Sequence, residues 1–207
     1  MAFGGRTLDL TRWEPVRQQR SALPNKPQGG LWLSPACHDD DGKLTGTAWT
    51  EFCRSSDLHA DQEVVLTPIA FTPGARIVKL TDRASYDSLA AKVGTVAPDD
   101  PLDQPHLDWA RAAEHLDAVW LTEKGVDELA DTQAPLNGWD FPSLVVLNPA
   151  IVQVSAPPVQ VRLTRWSAPS TVTEQSVTPA STGAQAFTSR LREVAAEMEG
   201  KGWFVGG

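Results

Sequence analysis

Apolar residues in this chain fall into short runs separated by turn-forming residues, and most runs have the two-residue period of a strand. We predict strands at 7–13, 31–34, 63–71, 76–80, 118–122, 144–147 and 159–166. The run at 144–147, Leu-Val-Val-Leu, is apolar throughout, which is typical of a buried strand. Residues 37–47 are acidic and contain glycine, so a loop is expected there.

Other stretches have the spacing of helices. Residues 50–55 and 85–93 predict short helices, and Asp82 is placed to cap the second. A third helix is expected at 107–116, where the apolar stripe consists of Leu107, Ala110, Ala113 and Leu116. Because strands and helices do not alternate regularly, the pattern predicts an α+β fold rather than a doubly wound parallel sheet.

A change in composition near residue 166 divides the chain. Residues 1–166 are expected to form one domain, since they contain all the predicted strands. Residues 167–184 are rich in Ser, Thr and Pro and predict an extended linker or arm. Residues 185–207 are expected to form an amphipathic helix and a tail that dock on the domain or on a partner.

Charge and cysteine content narrow the class of protein. The net charge is −8, and residues 31–150 carry 20 acidic and 8 basic side chains, which disfavours a duplex nucleic-acid interface. No run approaches the length of a membrane span and no secretory leader is expected, so we predict a cytoplasmic protein. Cys37 and Cys53 could pair, but two reduced thiols are the simpler interpretation.

The segment Lys-Pro-Gln-Gly-Gly-Leu-Trp-Leu-Ser-Pro at 26–35 has the most informative composition. Adjacent glycines let a backbone approach a ligand closely, Trp32 offers a ring for stacking, and Ser34 places a hydroxyl at the end of the strand. These features suit a flat heterocycle that bears an amide. They equally suit a tight turn into a buried strand, with the tryptophans as core residues.

A second segment, Gly-Trp-Asp-Phe-Pro-Ser at 138–143, leads into the apolar strand and ends at Asn148-Pro149. Together the two segments resemble the ADP-ribosyltransferase superfamily of the diphtheria-toxin and poly(ADP-ribose) polymerase kind. More narrowly, they are similar to a family of small proteins from phages and actinobacteria. The resemblance covers about residues 6–155. It implies a split, mixed or antiparallel sheet with short helices, and NAD as the substrate.

The resemblance also implies which residues grip NAD. The backbone at Gly30 would bond the nicotinamide carboxamide, Trp32 and Trp49 would stack on its ring, and a first-strand arginine, Arg6 or Arg12, would meet the diphosphate or ribose. The cofactor-binding residues expected on this basis are Arg6, Gly29, Gly30, Leu31, Trp32, Ser34 and Trp49.

The acid that such a site needs is the point of departure from the family. Breaking the nicotinamide–ribose bond develops positive charge on the ribose, which a carboxylate stabilises. The family's catalytic Glu is replaced here by Ser143. Serine can hold a ribose hydroxyl but brings no charge. Asp140, which could instead simply close its turn, and Glu128 are the acids near it in the sequence that could supply that charge, with Glu123 and Asp127 as further candidates in what is expected to be a loop.

Two functions follow from this pattern. One is an NAD-binding mono-ADP-ribosyltransferase-like protein, with an acceptor that the sequence does not specify and a site that is degenerate if no acid replaces the Glu. The alternative is a non-catalytic structural or interaction protein, such as a virion component, that associates with copies of itself or with a virion partner through residues 167–207.

Overall fold

The computed structural model describes residues 8–18, 26–56, 58, 62–96, 105–129, 136, 138–163 and 203–206. Its strands, in chain order, are β1 Leu31–His38, β2 Leu44–Thr47, β3 Glu63–Phe71, β4 Ile77–Leu80, β5 Gly94–Val96, β6 Pro105–Leu107, β7 Ala118–Leu121, β8 Ser143–Val146, β9 Val152–Val154, β10 Val159–Arg162 and β11 Trp203–Gly206. The helices are α1 Ala48–Ser55, α2 Arg83–Val93, α3 Trp109–His115 and α4 Glu123–Leu129.

Most strands join one sheet with the order β10-β3-β11-β1-β8-β7-β4, to which β2 adds on β1 and β9 on β3. The β4–β7 pair is parallel, and the other pairs in this sheet are antiparallel. A separate hairpin pairs β5 with β6. The sheet is therefore mixed and packs with helices, which confirms the α+β prediction.

Apolar clusters cover both faces of the sheet. One contains Trp109 and Trp139 with residues of α2, α3 and β8, whereas the other contains Leu33, Leu144 and Val146. All four residues of β8 are buried, as the apolar run predicted. Alternation along β1 places Trp32 on the first cluster and Leu31 and Leu33 on the second.

Local polar side chains fix where the helices begin. Thr47 and Thr50 form a reciprocal cap at the start of α1, and Asp82 and Ser85 do the same for α2. The Asp82 cap was predicted. It supplies hydrogen-bond acceptors to backbone N–H groups of the first turn that would otherwise lack partners.

Four local predictions were wrong. The helix expected at 107–116 begins only at Trp109, because Leu107 belongs to β6, and Ala110 of the predicted stripe is exposed. Residues 10–12 form a short 3₁₀ helix where a strand was expected, because Asp9 caps it through the Thr11 N–H. Part of the expected loop at 37–47 is strand, since β2 folds back on β1. Glu123 and Glu128 lie in helix α4 rather than in a loop.

Other predictions fall wholly or partly outside the described residues. These are Arg6, the linker at 167–184, the helix at 185–198 and the end of the strand predicted at 159–166. The division of the chain near residue 166 stays a prediction. The described part of the last segment nevertheless contributes β11 to the main sheet. None of the described helices has the length and apolar character to cross a membrane.

Asp117 ties β4, β7 and the end of β8 together. Its buried carboxylate accepts hydrogen bonds from the Arg76 backbone N–H at 2.8 Å, from the Arg76 guanidinium at 3.0 and 3.1 Å and from the Asn148 amide at 2.9 Å. Its carbonyl accepts from the N–H groups of Leu147 and Asn148. The guanidinium of Arg76 holds the pKa of Asp117 well below its ordinary range.

We expect Asp117→Asn to lower the free energy of unfolding by about 2 kcal/mol at pH 7, because charge-assisted bonds to a buried group are lost. A lowered native pKa stabilises the fold above the unfolded-state value near 3.9 and ceases to do so as the pH falls through the native pKa. Urea unfolding should therefore show a gap between the two proteins that narrows from pH 5 downward. Asp87→Asn, in an exposed pair with Arg83, is the control. A gap independent of pH would contradict this assignment.

Candidate functional site

The glycines at 29 and 30 face another part of the same chain. Both have positive φ, +74° at Gly29 and +68° at Gly30. A Cβ at Gly29 would lie 2.4 Å from the Pro15 carbonyl oxygen, and one at Gly30 would lie 2.8 Å from Val16 Cγ1. The Gly30 N–H, expected to bind a carboxamide, donates to the Glu14 carbonyl at 2.8 Å. The absence of a Cβ at both glycines thus lets residues 14–16 pack against this backbone. The two segments also form a β-bridge between Arg17 and Gln28.

Trp32 belongs to a cluster of tryptophans. Its ring meets Trp139 edge-on with centroids 4.8 Å apart, and Trp139 stacks on Trp109 at 6.0 Å. Trp139 and Trp109 are buried, while Trp32 is half-buried. Part of the Trp32 ring therefore packs in the core. This agrees with the alternative interpretation of the tryptophans as core residues.

Lys26 holds the two predicted segments together. Its ammonium donates to the Gly138 carbonyl at 2.9 Å and lies 5.4 Å from the centre of the Trp32 ring. Burial lowers the pKa of Lys26, and the negative charge of Asp140 opposes that shift. Asp140 follows the buried Trp139 in the chain and is itself exposed, so it lies at the rim of this cluster.

The resemblance implies that Ser34 and Trp49 both contact NAD. In the structure the two residues lie together and are joined by a hydrogen bond to each other. The buried Ser34 hydroxyl accepts from the Trp49 backbone N–H at 2.8 Å, in the first turn of α1. Trp49 is half-buried and packs on the cluster of Ala36 and Cys53. The hydroxyl expected to meet the ligand thus already supports the start of a helix.

Ser143 occupies the matching position on β8. The register that pairs Leu33 with Leu144 places Ser34 and Ser143 one position further along the same two strands. Ser143 is 3% exposed and donates to the Phe141 carbonyl at 3.2 Å. Phe141 in turn packs on Phe52 of α1, with ring centroids 5.2 Å apart. Both serines therefore lie inside the domain, beneath α1.

Glu123 is a buried candidate acid just after β7, the strand that pairs with the one carrying Ser143. It follows Leu121, whose register partner is Ser143, by two residues. Glu123 is 8% exposed, and its charge contributes to raising the pKa of Cys37 on β1. We call Ser34, Ser143 and Glu123 the serine corner. In the sequence, Glu123 directly follows the apolar strand predicted at 118–122. Because a loop was predicted there, its burial was not expected.

The other candidate charges lie elsewhere on the surface. Glu128 is exposed and pairs with Lys124 at 3.5 Å, and the same ammonium lies 3.7 Å from Asp82. Asp127 is exposed on the same helix. Arg12 is exposed and lies 3.9 Å from Asp9. Neither Glu128 nor Arg12 has its charge in the serine corner or among the tryptophans.

The cysteines are both reduced and buried. Burial, together with the Glu51 carboxylate, raises the pKa of Cys37 to about 12, and burial raises the pKa of Cys53 to about 11. Thiols with such values are not nucleophiles at neutral pH. In the described part of the chain no group of three or more His, Cys, Asp or Glu side chains could hold a metal ion.

Comparison of the chain with protein-family models, with curated proteins and with solved structures found no match. The geometry of the tryptophan cluster and the serine corner is therefore the basis on which a function can be inferred.

Proposed function

We propose that this protein is a non-catalytic interaction protein built on an α+β domain. The groups that the resemblance assigns to NAD binding make contacts within the chain instead. One observation carries the proposal: two groups expected to hold nicotinamide already bond within the chain. The Gly30 N–H donates to Glu14, and the Ser34 hydroxyl accepts from Trp49. A ligand that binds the Gly30 N–H would have to displace the Glu14 carbonyl and leave it without that donor, which is costly. The buried Ser34 hydroxyl, held by the Trp49 N–H, has only its own O–H and one remaining lone pair to offer a ligand.

The finer fold assignment, an ADP-ribosyltransferase-like split sheet, is part of this proposal as an account of ancestry. The sheet is continuous, with β11 joining the strands around β3 to those around β1, so what the structure contributes to this comparison is the mixed sheet of the α+β class. On this view the Gly-Gly-Leu-Trp segment descends from a nicotinamide-binding strand. The residues of the strand persist because they now pack against residues 14–16 and Trp139.

A second candidate function, NAD binding with ADP-ribosyl transfer, is supported by the burial of Glu123 in the serine corner. There Glu123 would take the place of the absent Glu and stabilise positive charge on the ribose as the glycosidic bond breaks. Nicotinamide would leave with the bonding electrons, and an acceptor nucleophile would add to the ribose carbon. Trp32, Lys26 and Asp140 would form the outer edge of such a site.

Isothermal calorimetry with NAD and release of labelled nicotinamide separate the two functions. The non-catalytic proposal predicts no saturable heat at millimolar NAD and no nicotinamide release by the full chain. Saturable binding with release would overturn it, and Glu123→Gln should then lower the rate by at least about 100-fold, since one aimed charge is lost. Glu128→Gln is the matched control, because Glu128 is exposed and paired with Lys124.

The expected localisation of the protein differs between the two proposed functions. A non-catalytic protein of this kind is proposed as a virion component, and an NAD-dependent transferase as a protein of the host cytoplasm. Copurification of the chain with assembled particles, or its absence from them, distinguishes these two places.

A further inference from the structure

Strand β11 holds a special position in the sheet. It lies between β1 and β3, pairing Ser34 with Phe204 and Pro35 with Trp203 on one side. On the other side it pairs along β3 from Ile69 to Leu66. Along the main path of the sheet, β11 is the strand that joins the group around β3 to the group around β1. We call the gap that it fills the β1–β3 slot.

The connection that leads to β11 is a crossover. Strands β10 and β11 both run antiparallel to β3 and both pair with Leu66, so they are parallel to each other on opposite edges of β3. A crossover between parallel strands needs about a dozen residues or more. Residues 164–202, roughly 40 residues, separate the end of the described β10 region from β11.

That connection is longer than the crossover requires. The distance from the β10 end, beside Glu63, to the β11 start, beside Ile69, is about 20 Å along β3 and two strand spacings across it. At about three times the dozen residues that a crossover needs, the connection has the length to lead to its own slot or to the slot of a neighbouring molecule.

We propose that the β1–β3 slot also accepts Trp203–Gly206 from a second copy of this chain, which yields strand-exchanged dimers. The occupant has the same sequence, direction and register in both cases, so exchange creates no new contact and destroys none. This inference rests on the proposed interaction function, to which it assigns a partner and a surface. It is independent of whether NAD binds.

Concentration decides between the two arrangements. Because β11 is tied to its own slot through about 40 residues, its effective concentration there is expected in the millimolar range or below. Sedimentation velocity of the full chain should therefore show monomer at about 10 μM and a substantial dimer fraction approaching 1 mM. A chain that stays monomeric throughout that range would overturn the proposal.

A peptide of residues 199–207 identifies the slot as the interface. An excess of this peptide should return the dimer to monomer and should bind the full chain saturably in fluorescence anisotropy. The control is the same peptide with Val205→Pro, since proline removes a ladder donor from a central strand. We expect it to bind at least about tenfold more weakly. Equal effects of the two peptides, or a dimer that ignores both, would refute exchange.

A shortened connection gives a second, opposite readout. Deleting residues 167–198 leaves about seven residues between β10 and β11, which is fewer than a parallel crossover needs. The slot can then be filled only from another molecule, so the variant should be dimeric even at about 10 μM. A folded, monomeric deletion variant would contradict the inference, whereas the NAD experiments would be unaffected.

Discussion

Trp139→Ala is expected to lower the free energy of unfolding by about 3–5 kcal/mol, the usual cost of removing a large buried aromatic side chain. Trp139 is 1% exposed and its ring contacts both Trp32 and Trp109. Its loss therefore leaves a cavity between Trp32 of β1 and Trp109 of α3. Chemical denaturation followed by far-ultraviolet circular dichroism measures the effect.

Two substitutions frame that result. Trp139→Phe keeps an aromatic ring in the same place and should cost clearly less than the alanine variant. Trp13→Ala removes a tryptophan that is only half-buried at the edge of the second cluster, and about 1 kcal/mol is expected. If Trp139→Ala costs no more than Trp13→Ala, the tryptophan cluster does not organise the core.

Gly30→Ala is expected to cost about 2–4 kcal/mol for two reasons that add. An alanine at φ +68° is strained by about 1 kcal/mol or more. Its Cβ would also lie 2.9 Å from the Val146 carbonyl oxygen and 3.0 Å from Val145 Cγ2, so β1 must move against β8. Thermal unfolding monitored by circular dichroism gives the shift.

Gly74→Ala separates the two causes. Gly74 has a positive φ of +84°, but an added Cβ there meets nothing within 4 Å. The control should therefore show the strain alone, about 1 kcal/mol. Equal costs at the two glycines would mean that Val16 and the neighbouring residues of β8 give way readily, and that the close packing around Gly30 does not exclude a side chain.

Local patterns were sufficient for most individual elements. The strand at Glu63–Phe71 appears with the predicted bounds, and α2 begins at the cap that Asp82 predicted. Errors arose where the local signal is weak: a single Asp–Thr pair turned residues 10–12 into a 3₁₀ helix. The helix at Glu123–Leu129 has few apolar positions, so its period did not distinguish it from a loop.

The residues of the candidate site could be predicted from the sequence, whereas the contacts that they make within the chain could not. The sequence pointed to Gly30, Trp32, Ser34 and Trp49 as a group, and the fold brings Ser34 and Trp49 into direct contact. No spacing rule could show that residues 14–16 cover the glycines, because that contact joins segments with no shared periodicity. The burial of Glu123 at the end of β7 depends in the same way on how distant segments pack around that strand.

By itself, then, the sequence determined the α+β class, the apolar β8 strand and the cap of α2, because propensity, periodicity and capping act within a few residues. Only the tertiary structure decided that the Gly-Gly backbone faces residues 14–16 and that Trp203–Gly206 lies between β1 and β3. Both are contacts between distant segments, selected by the packing and hydrogen bonding of the whole sheet rather than by any local pattern.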